Sequence, residues 1–272
     1  MDPQAILRDK SLRSPSAAPE KVTAVMLTPG RPVAKMAIKS FLSQTYAAKE
    51  LLILNHGDVP LLQESHPLIT EHVIPMKASG EGAALKFTCS SKGIKGLRLG
   101  DLRNSLYDRC KPGWVIQWDD DDFSSADRIT YQMAHRIQGH CVVLANQIRY
   151  SFVSGSAFAH REPGDGIAGT ILFRSPLEYL YLPISRHEDS TFYLRNFGHK
   201  RVILDNPPSL YVRLHHGSNI SGEQHIMKSM AGQKSKWILQ PEDRNSLMAI
   251  LHLYKQAGLC PKESLGEVET TR

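Results

Sequence analysis

Four consecutive aspartates, Asp119, Asp120, Asp121 and Asp122, stand directly after the apolar segment Trp114-Val-Ile-Gln-Trp118. Neighbouring carboxylates repel one another, and no Lys or Arg lies beside these in sequence. Hard oxygen ligands clustered in this way suit Mg2+ or Mn2+. A helix start explains one or two aspartates by capping and the helix dipole. Ser124-x-x-Asp127, however, already has the spacing of a capping box for the next helix, so metal binding explains the run better. A second acidic pair, Glu188-Asp189, follows Ser185. Ser185-x-x-Glu188 reads as another capping box, which leaves Asp189 outside it. Ionised at neutral pH, Asp189 can accept a proton from an attacking hydroxyl. His215-His216 follows a strand at 210–214, and the following Gly-Ser-Asn permits a tight turn that aims an imidazole back at a metal or diphosphate.

These groups need elements to place them. The apolar run at 22–27 reads as a buried parallel strand. It stops at Thr28-Pro29-Gly30-Arg31-Pro32, where Pro32 suits the first turn of a helix that carries Val33, Met36, Ala37 and Phe41 on one face. Further strands are expected at 51–54, near 72–75 and at 114–118, with a helix from about 98 to 109. The Gly-, Ser- and Lys-rich stretch 77–96 reads as a loop. Strands alternating with helices at this spacing give a mostly parallel sheet, whose ligands bind outside the strands' carboxyl ends. The turns at 28–31, 55–58 and 119–122 lie at such ends. Residues 1–20 read as a disordered tail, 21–222 as the main domain, and 223–272 as a cap of two amphipathic helices.

A strand, then Thr-x-x-Arg-Pro, then a helix ending in Phe-Leu-Ser-Gln-Thr-Tyr resembles the opening of family 2 glycosyltransferases of the GT-A fold. Leu99-Gly-Asp-Leu-Arg-Asn104 resembles that family's Gly-x-x-x-Arg-Asn helix. Trp118-Asp-Asp-Asp-Asp-Phe123 is similar to its Asp-x-Asp region, Arg186-His-Glu-Asp189 to its Glu-Asp motif, and His216-Gly-Ser-Asn219 to a late His-Gly-x-Asn element. The similarity runs over roughly 21–222 with the motifs in order. It implies a Rossmann-like α/β domain with a mostly parallel central sheet flanked by helices. It also implies that Thr28, Gly30, Arg31 and Asn55 border the nucleotide, that Arg103 faces base or diphosphate, and that Asp119, with Asp120, lies near the ribose. Asp121 and Asp122 would take the metal with His216. Gly169 and Thr170 would line the donor sugar, and Glu188 and Asp189 would be catalytic. The family often has Asp where this chain has Asn55-His56, and Tyr-Asn where it has Pro29-Gly30, so uridine is a default. The expected reaction is a metal-dependent inverting transfer from a nucleotide-sugar to a hydroxyl acceptor, such as a surface glycan or lipid-linked sugar.

The 272 residues and net charge of +6 fit one large α/β domain with an anionic partner. No apolar run nears the roughly 20 residues of a membrane span, and the N-terminus lacks a secretory signal. A cytoplasmic protein is expected, free or peripheral at the inner face of the membrane. Cys89, Cys110, Cys141 and Cys260 are isolated, which argues against a zinc ribbon. Gly80-x-Gly82 follows no strand, which argues against a dinucleotide-binding oxidoreductase. Gln233-x-x-Lys-Trp237 faintly resembles a Gln-x-x-Arg-Trp element of processive synthases. Nucleic acid is not expected as a partner, because basic aromatic stretches are lacking and the Asp run repels phosphates. The alternative is a metal-dependent phosphohydrolase or nuclease using the same Asp and His cluster, which would not need the nucleotide-facing elements at the first two strand ends.

Overall fold

The computed structural model describes residues 19–74, 98–162, 164–217, 219 and 239–259. In chain order the elements are β1 (Val22–Thr28), α1 (Ala34–Leu42), β2 (Lys49–Asn55), β3 (Ile69–Val73), α2 (Leu99–Tyr107), β4 (Gly113–Gln117), β5 (Phe123–Ser124), α3 (Arg128–Ala134) and β6 (Cys141–Leu144). They continue with β7 (Asn146–Ser151), β8 (Ala157–Arg161), β9 (Leu172–Ser175), α4 (Glu188–Phe197), β10 (Arg201–Leu204), β11 (Tyr211–His215) and α5 (Pro241–Gln256). A seven-stranded sheet runs β10-β6-β9-β4-β1-β2-β3. Only β9 is antiparallel to its neighbours, β4 and β6. This is the expected mostly parallel central sheet flanked by helices.

Side-chain alternation sets the two faces. Val22, Ala24 and Met26 of β1 pack with Ala37 and Phe41 of α1 and Ile129 and Met133 of α3. Val25, between them, points the other way, into a core shared with Leu102 and Leu106 of α2 and Phe192 and Phe197 of α4. A second sheet, β5-β11-β7-β8, stacks on α5 through Ile148, Val212, Leu214, Leu247 and Leu251. Met36 and Val33 join this third core rather than the face of Ala37 and Phe41, so α1 is wedged between the sheets. Burial on two sides is why one apolar face does not describe it.

Several boundaries and caps differ from expectation. Glu20 belongs to the folded body: its carboxylate accepts from the Trp114 indole at 3.0 Å and pairs with Arg136 and Arg174. The third strand ends at Val73. Ser124 and Asp127 form no capping box: Asp127 accepts from Thr45 at 2.8 Å, and Ser124 accepts from Arg128. Ser185 and Glu188 form none either, because α4 begins at Glu188 after His187 and the Glu188 carboxylate accepts from Arg103. Of the two helices expected after 223, α5 is described. The loop at 77–96, Gly80-x-Gly82 and Gln233-x-x-Lys-Trp237 lie outside the described residues. Among the described residues Cys110 and Cys141 are free thiols, and no helix is long and apolar enough to cross a membrane.

Candidate active site

The carboxyl ends of β1, β2 and β4 meet at one edge of the central sheet. After β1 the chain turns at Gly30, whose φ of 80° favours glycine. The Gly30 amide donates to Thr28 Oγ1 at 3.0 Å, and Thr28 Oγ1 donates to Asp120 at 2.7 Å. At the end of β2, Gly57 packs so closely on this turn that a Cβ there would come 2.3 Å from the Pro29 carbonyl. The first two strand-end turns are therefore one fused surface.

Arg31 projects from it onto the acidic turn. Its Nη2 lies 2.6 Å from Asp120 Oδ1 and 3.1 Å from Asp121 Oδ2, and Nη1 lies 3.3 Å from His216 Nε2. The acidic run thus has a counter-charge, contrary to the reading from sequence neighbours, and it arrives from 89 residues away.

Two of the four aspartates turn inward and two stay partly exposed. Asp120 is buried against Thr28 and Arg31. Asp122 is buried too, accepting from the Leu214 amide at 3.1 Å and from the Tyr211 hydroxyl. It holds β11 to the turn rather than joining a metal site. Asp119 and Asp121 keep 26% and 19% of their side chains exposed. Asp121 Oδ2 accepts from Asn219 Nδ2 at 3.0 Å and sits 3.4 Å from His216 Nε2. Asn219 also accepts from the His216 amide at 2.8 Å and donates to the Leu214 carbonyl, which closes the turn after β11.

Burial raises the Asp122 carboxyl to about 8, with the charge of Asp121 adding to the rise. Burial raises Asp120 to about 6, Asp121 again adding, although Arg31 opposes. For Asp121 burial is overcome by the hydrogen bond from His216 and the charge of Arg31, which hold it below its ordinary value. Asp119 is raised by burial more than Arg103 lowers it.

Arg103 joins the two halves of the site. It is buried on α2, with Nε donating to Glu188 at 3.1 Å and Nη2 lying 3.6 Å from Asp119. Tyr181 packs beneath its guanidinium at 5.7 Å. Gly100 lets α2 press on the segment leading to α4, since a Cβ there would fall 1.8 Å from the Leu182 carbonyl. Burial raises Glu188 despite Arg103. Asp189, partly exposed, bonds the Ser190 amide at 2.7 Å through Oδ1, and its charge acts on both Arg103 and Asp119. Gly169 lies against this group: a Cβ there would come 2.9 Å from Asp119 Oδ2.

Thr28, Gly30, Arg31, Arg103, Asp119, Asp120, Asp121, Gly169, Glu188, Asp189 and His216 are thus brought into one connected cluster. Three expected residues are turned to other work. Asn55 is fully buried, its amide donating to Val59 and Glu71 and accepting from Gly57. Thr170 is fully buried, tied to Ile167 and the Leu144 amide. Asp122 is the third. Beside Asn55, His56 is buried with its Nδ1 unpartnered, and burial together with Arg31 lowers it to about 4. Residues not singled out from sequence are Tyr211, Gln117 and Arg128. Arg128 is fully buried between the rings of Trp118 and Tyr211, at 5.0 and 4.9 Å. Tyr211 was reachable by counting back in twos from His215 along the strand.

Among the described residues no cluster of three or more His, Cys, Asp or Glu is arranged as a metal centre. Asp121 and His216 nonetheless stand side by side. Cations that act on phosphates commonly take one or two protein ligands and complete their shell with phosphate oxygens and water. The pair fits that chemistry; Asp122 does not.

No protein-family model matches the chain, and no curated protein matches it. Among solved structures it is similar to S. aureus TarS, over 86% of this chain and 43% of that one, at 11% identity and a TM-score of 0.48. It thus spans less than half the length of that protein. The 1–349 portion of TarS in complex with UDP-GlcNAc is similar over 87% of this chain and 73% of that one, at 11% identity and 0.47. The mannosyltransferase PcManGT from Pyrobaculum calidifontis, in complex with GDP-Man and Mn2+, is similar over 94% and 81%, at 12% identity and 0.42.

Proposed function

We propose that the chain is a nucleotide-sugar-dependent glycosyltransferase that moves a sugar onto a hydroxyl acceptor by a single inverting displacement. The observation that carries this reading is Arg103, which ties Asp119 at the end of β4 to Glu188 at the start of α4. On this reading it links a nucleotide-binding strand-end surface to a candidate base, Asp189, one residue beyond Glu188. Thr28, Gly30, Arg31 and Asp119 form the donor side, with a uridine nucleotide as the first candidate. Gly169 flanks the sugar. On the other side the acceptor hydroxyl would approach Asp189. As its oxygen bonds to the anomeric carbon, its proton passes to the Asp189 carboxylate. The bond to the diphosphate breaks, and the electron pair leaves with that group. Mn2+ or Mg2+ held by Asp121 and His216 would supply Lewis-acid neutralisation of the departing diphosphate. A surface glycan or lipid-linked sugar at the inner face of a membrane is the acceptor class in view.

Calorimetry with UDP, GDP and their sugar conjugates, with and without Mn2+, tests the reading. Binding that needs the metal in the wild type and is largely lost in Asp121→Asn is expected. Affinity that is indifferent to both chelator and Asp121→Asn would remove the metal from the mechanism. Release of phosphate without any acceptor would instead favour the phosphohydrolase.

A further inference from the structure

Sheet β5-β11-β7-β8 has one face packed on α5 and another directed toward the acidic turn. On β11, Val212 and Leu214 enter the core with α5, so Tyr211, Arg213 and His215 take the opposite face. Tyr211 confirms the direction by reaching Asp122. On β7 the same alternation puts Gln147, Arg149 and Ser151 on that face, while Ile148 and Tyr150 enter the core.

Arg213 and Arg149 are register partners of the parallel β11–β7 pair. Two guanidinium groups therefore stand side by side on one face, an arrangement that is destabilising by itself. After burial, the charge of Arg213 is the next cause lowering Arg149, to about 10. Arg213 is partly exposed. Among the described residues it makes no hydrogen bond or close ion pair, although the charges of Asp122, Asp119 and Asp121 act on it. The other arginines of the site are engaged: Arg31 by Asp120 and Asp121, Arg103 by Glu188 and Asp119, Arg128 by Ser124 and the Gln117 carbonyl. A planar fork on the face beside the acidic turn, with no hydrogen-bonded oxygen, is suited to phosphate, which takes two of its N–H groups at once.

We propose that Arg213, supported by Arg149, forms a phosphate-binding subsite on the cleft side of the second sheet. Two sources share the chemistry: the diphosphate of the donor and a phosphate on the acceptor. Only the choice of source rests on the glycosyltransferase reading.

Calorimetric titration of the full chain with inorganic pyrophosphate, in EDTA at low salt, isolates the arginines from any metal at Asp121. Arg213→Gln is expected to weaken pyrophosphate roughly tenfold or more, as loss of a charge-assisted hydrogen bond does. Arg149→Gln should weaken it less, and Arg213→Lys should weaken it severalfold, because it keeps the charge but not the fork. Parallel loss of UDP and GDP binding, titrated separately with Mn2+ present, assigns the subsite to the donor. Intact UDP and GDP binding with weakened glucose 6-phosphate assigns it to the acceptor. If the wild type binds pyrophosphate through Arg213 but binds no nucleotide even when Mn2+ is present, the subsite stands and the nucleotide-sugar reading falls. If wild-type pyrophosphate binding is undetectable, or Arg213→Gln and Arg213→Lys leave it unchanged, the proposal is overturned. Should Arg213→Gln fail to fold by its melting curve, Arg213→Lys decides.

Discussion

Within the site, the residues at the edge of the central sheet are built differently from those on the second sheet and at the start of α4. On the central-sheet side nearly every polar group is held twice. Thr28 accepts from Gly30 while donating to Asp120, Arg31 spans Asp120 and Asp121, and Asn55 uses its whole amide on Gly57, Val59 and Glu71. On the other side Arg213 makes no hydrogen bond among the described residues, Asp189 bonds its own neighbour Ser190, and His187 sits in the left-handed region at φ 60°. A surface so internally tied is preorganised to receive a ligand. A surface with loose charge and a strained entry is where a reacting partner would complete the arrangement.

The largest expected effect falls on the loose side. Asp189→Asn should bind donor normally and lower turnover by about 10²–10⁴-fold, the usual contribution of a general base. NMR of the wild-type product should give the anomeric configuration opposite to the donor's. Retained configuration, or near-normal turnover in the variant, would remove Asp189 from the mechanism.

The next effect tests the contrast through stability. Removing Arg103 leaves Glu188 buried beside Asp119 without its counter-ion, so Arg103→Ala should cost about 3–5 kcal/mol in chemical denaturation. Arg213→Ala should cost less than about 1 kcal/mol, in keeping with a side chain that has no bonded partner to orphan. Equal losses would mean that the two sides are built alike.

Sequence was most informative where the site is contiguous. An acidic run after a buried strand, a turn after β1 and a Glu-Asp pair before a helix each mark a strand end or helix start, and the parallel sheet gathers such ends at one edge. It could not separate Asp119 and Asp121 from Asp120 and Asp122, because which carboxylates turn inward depends on Thr28, Tyr211 and Leu214, far away in the chain. The same distance hid the counter-charge of Arg31. Asn55 and Thr170 were expected to face ligands through the family resemblance, and buried turns favour the same polar types as binding turns. Arg213 was hidden by the two-residue period of its strand: no motif surrounds it, and its importance emerges only from its register with Arg149.

A pH titration examines the inward aspartates. Burial, with Asp121, raises Asp122 to about 8 in the folded chain, against an ordinary carboxylate value near 4. The folded state therefore holds that proton more tightly than the unfolded state does. The resulting stability is fully present below about pH 4 and is lost as pH rises through about 8. Asp122→Asn cannot titrate, and its side-chain oxygen can still accept from the Leu214 amide. Wild type should thus lose up to about 1.4 kcal/mol relative to the variant between pH 6 and pH 7, read by denaturation in metal-free buffer. His56, lowered to about 4 by burial and Arg31, is common to both proteins and cancels in this difference. A difference that stays constant between pH 6 and pH 7 would mean that Asp122 is already ionised in the native state below pH 6.

The smallest effect concerns His187. Its left-handed backbone costs an ordinary residue about 1–2 kcal/mol, whereas glycine adopts it freely but is harder to order on folding. His187→Gly should therefore be more stable by about 0.5–1 kcal/mol in urea. His187 immediately precedes Glu188, whose carboxylate is anchored to Arg103, and its carbonyl accepts from both the amide and the hydroxyl of Thr191. The strained residue is thus fixed between two anchors, with Asp189 inside the same turn. If the strain serves to direct Asp189 into the cleft, the glycine variant should trade its stability for a lower turnover at unchanged donor affinity. A variant that is more stable and equally active would make the left-handed turn a by-product of the Arg103–Glu188 pair. A variant that is less stable would mean that the imidazole itself supports the start of α4.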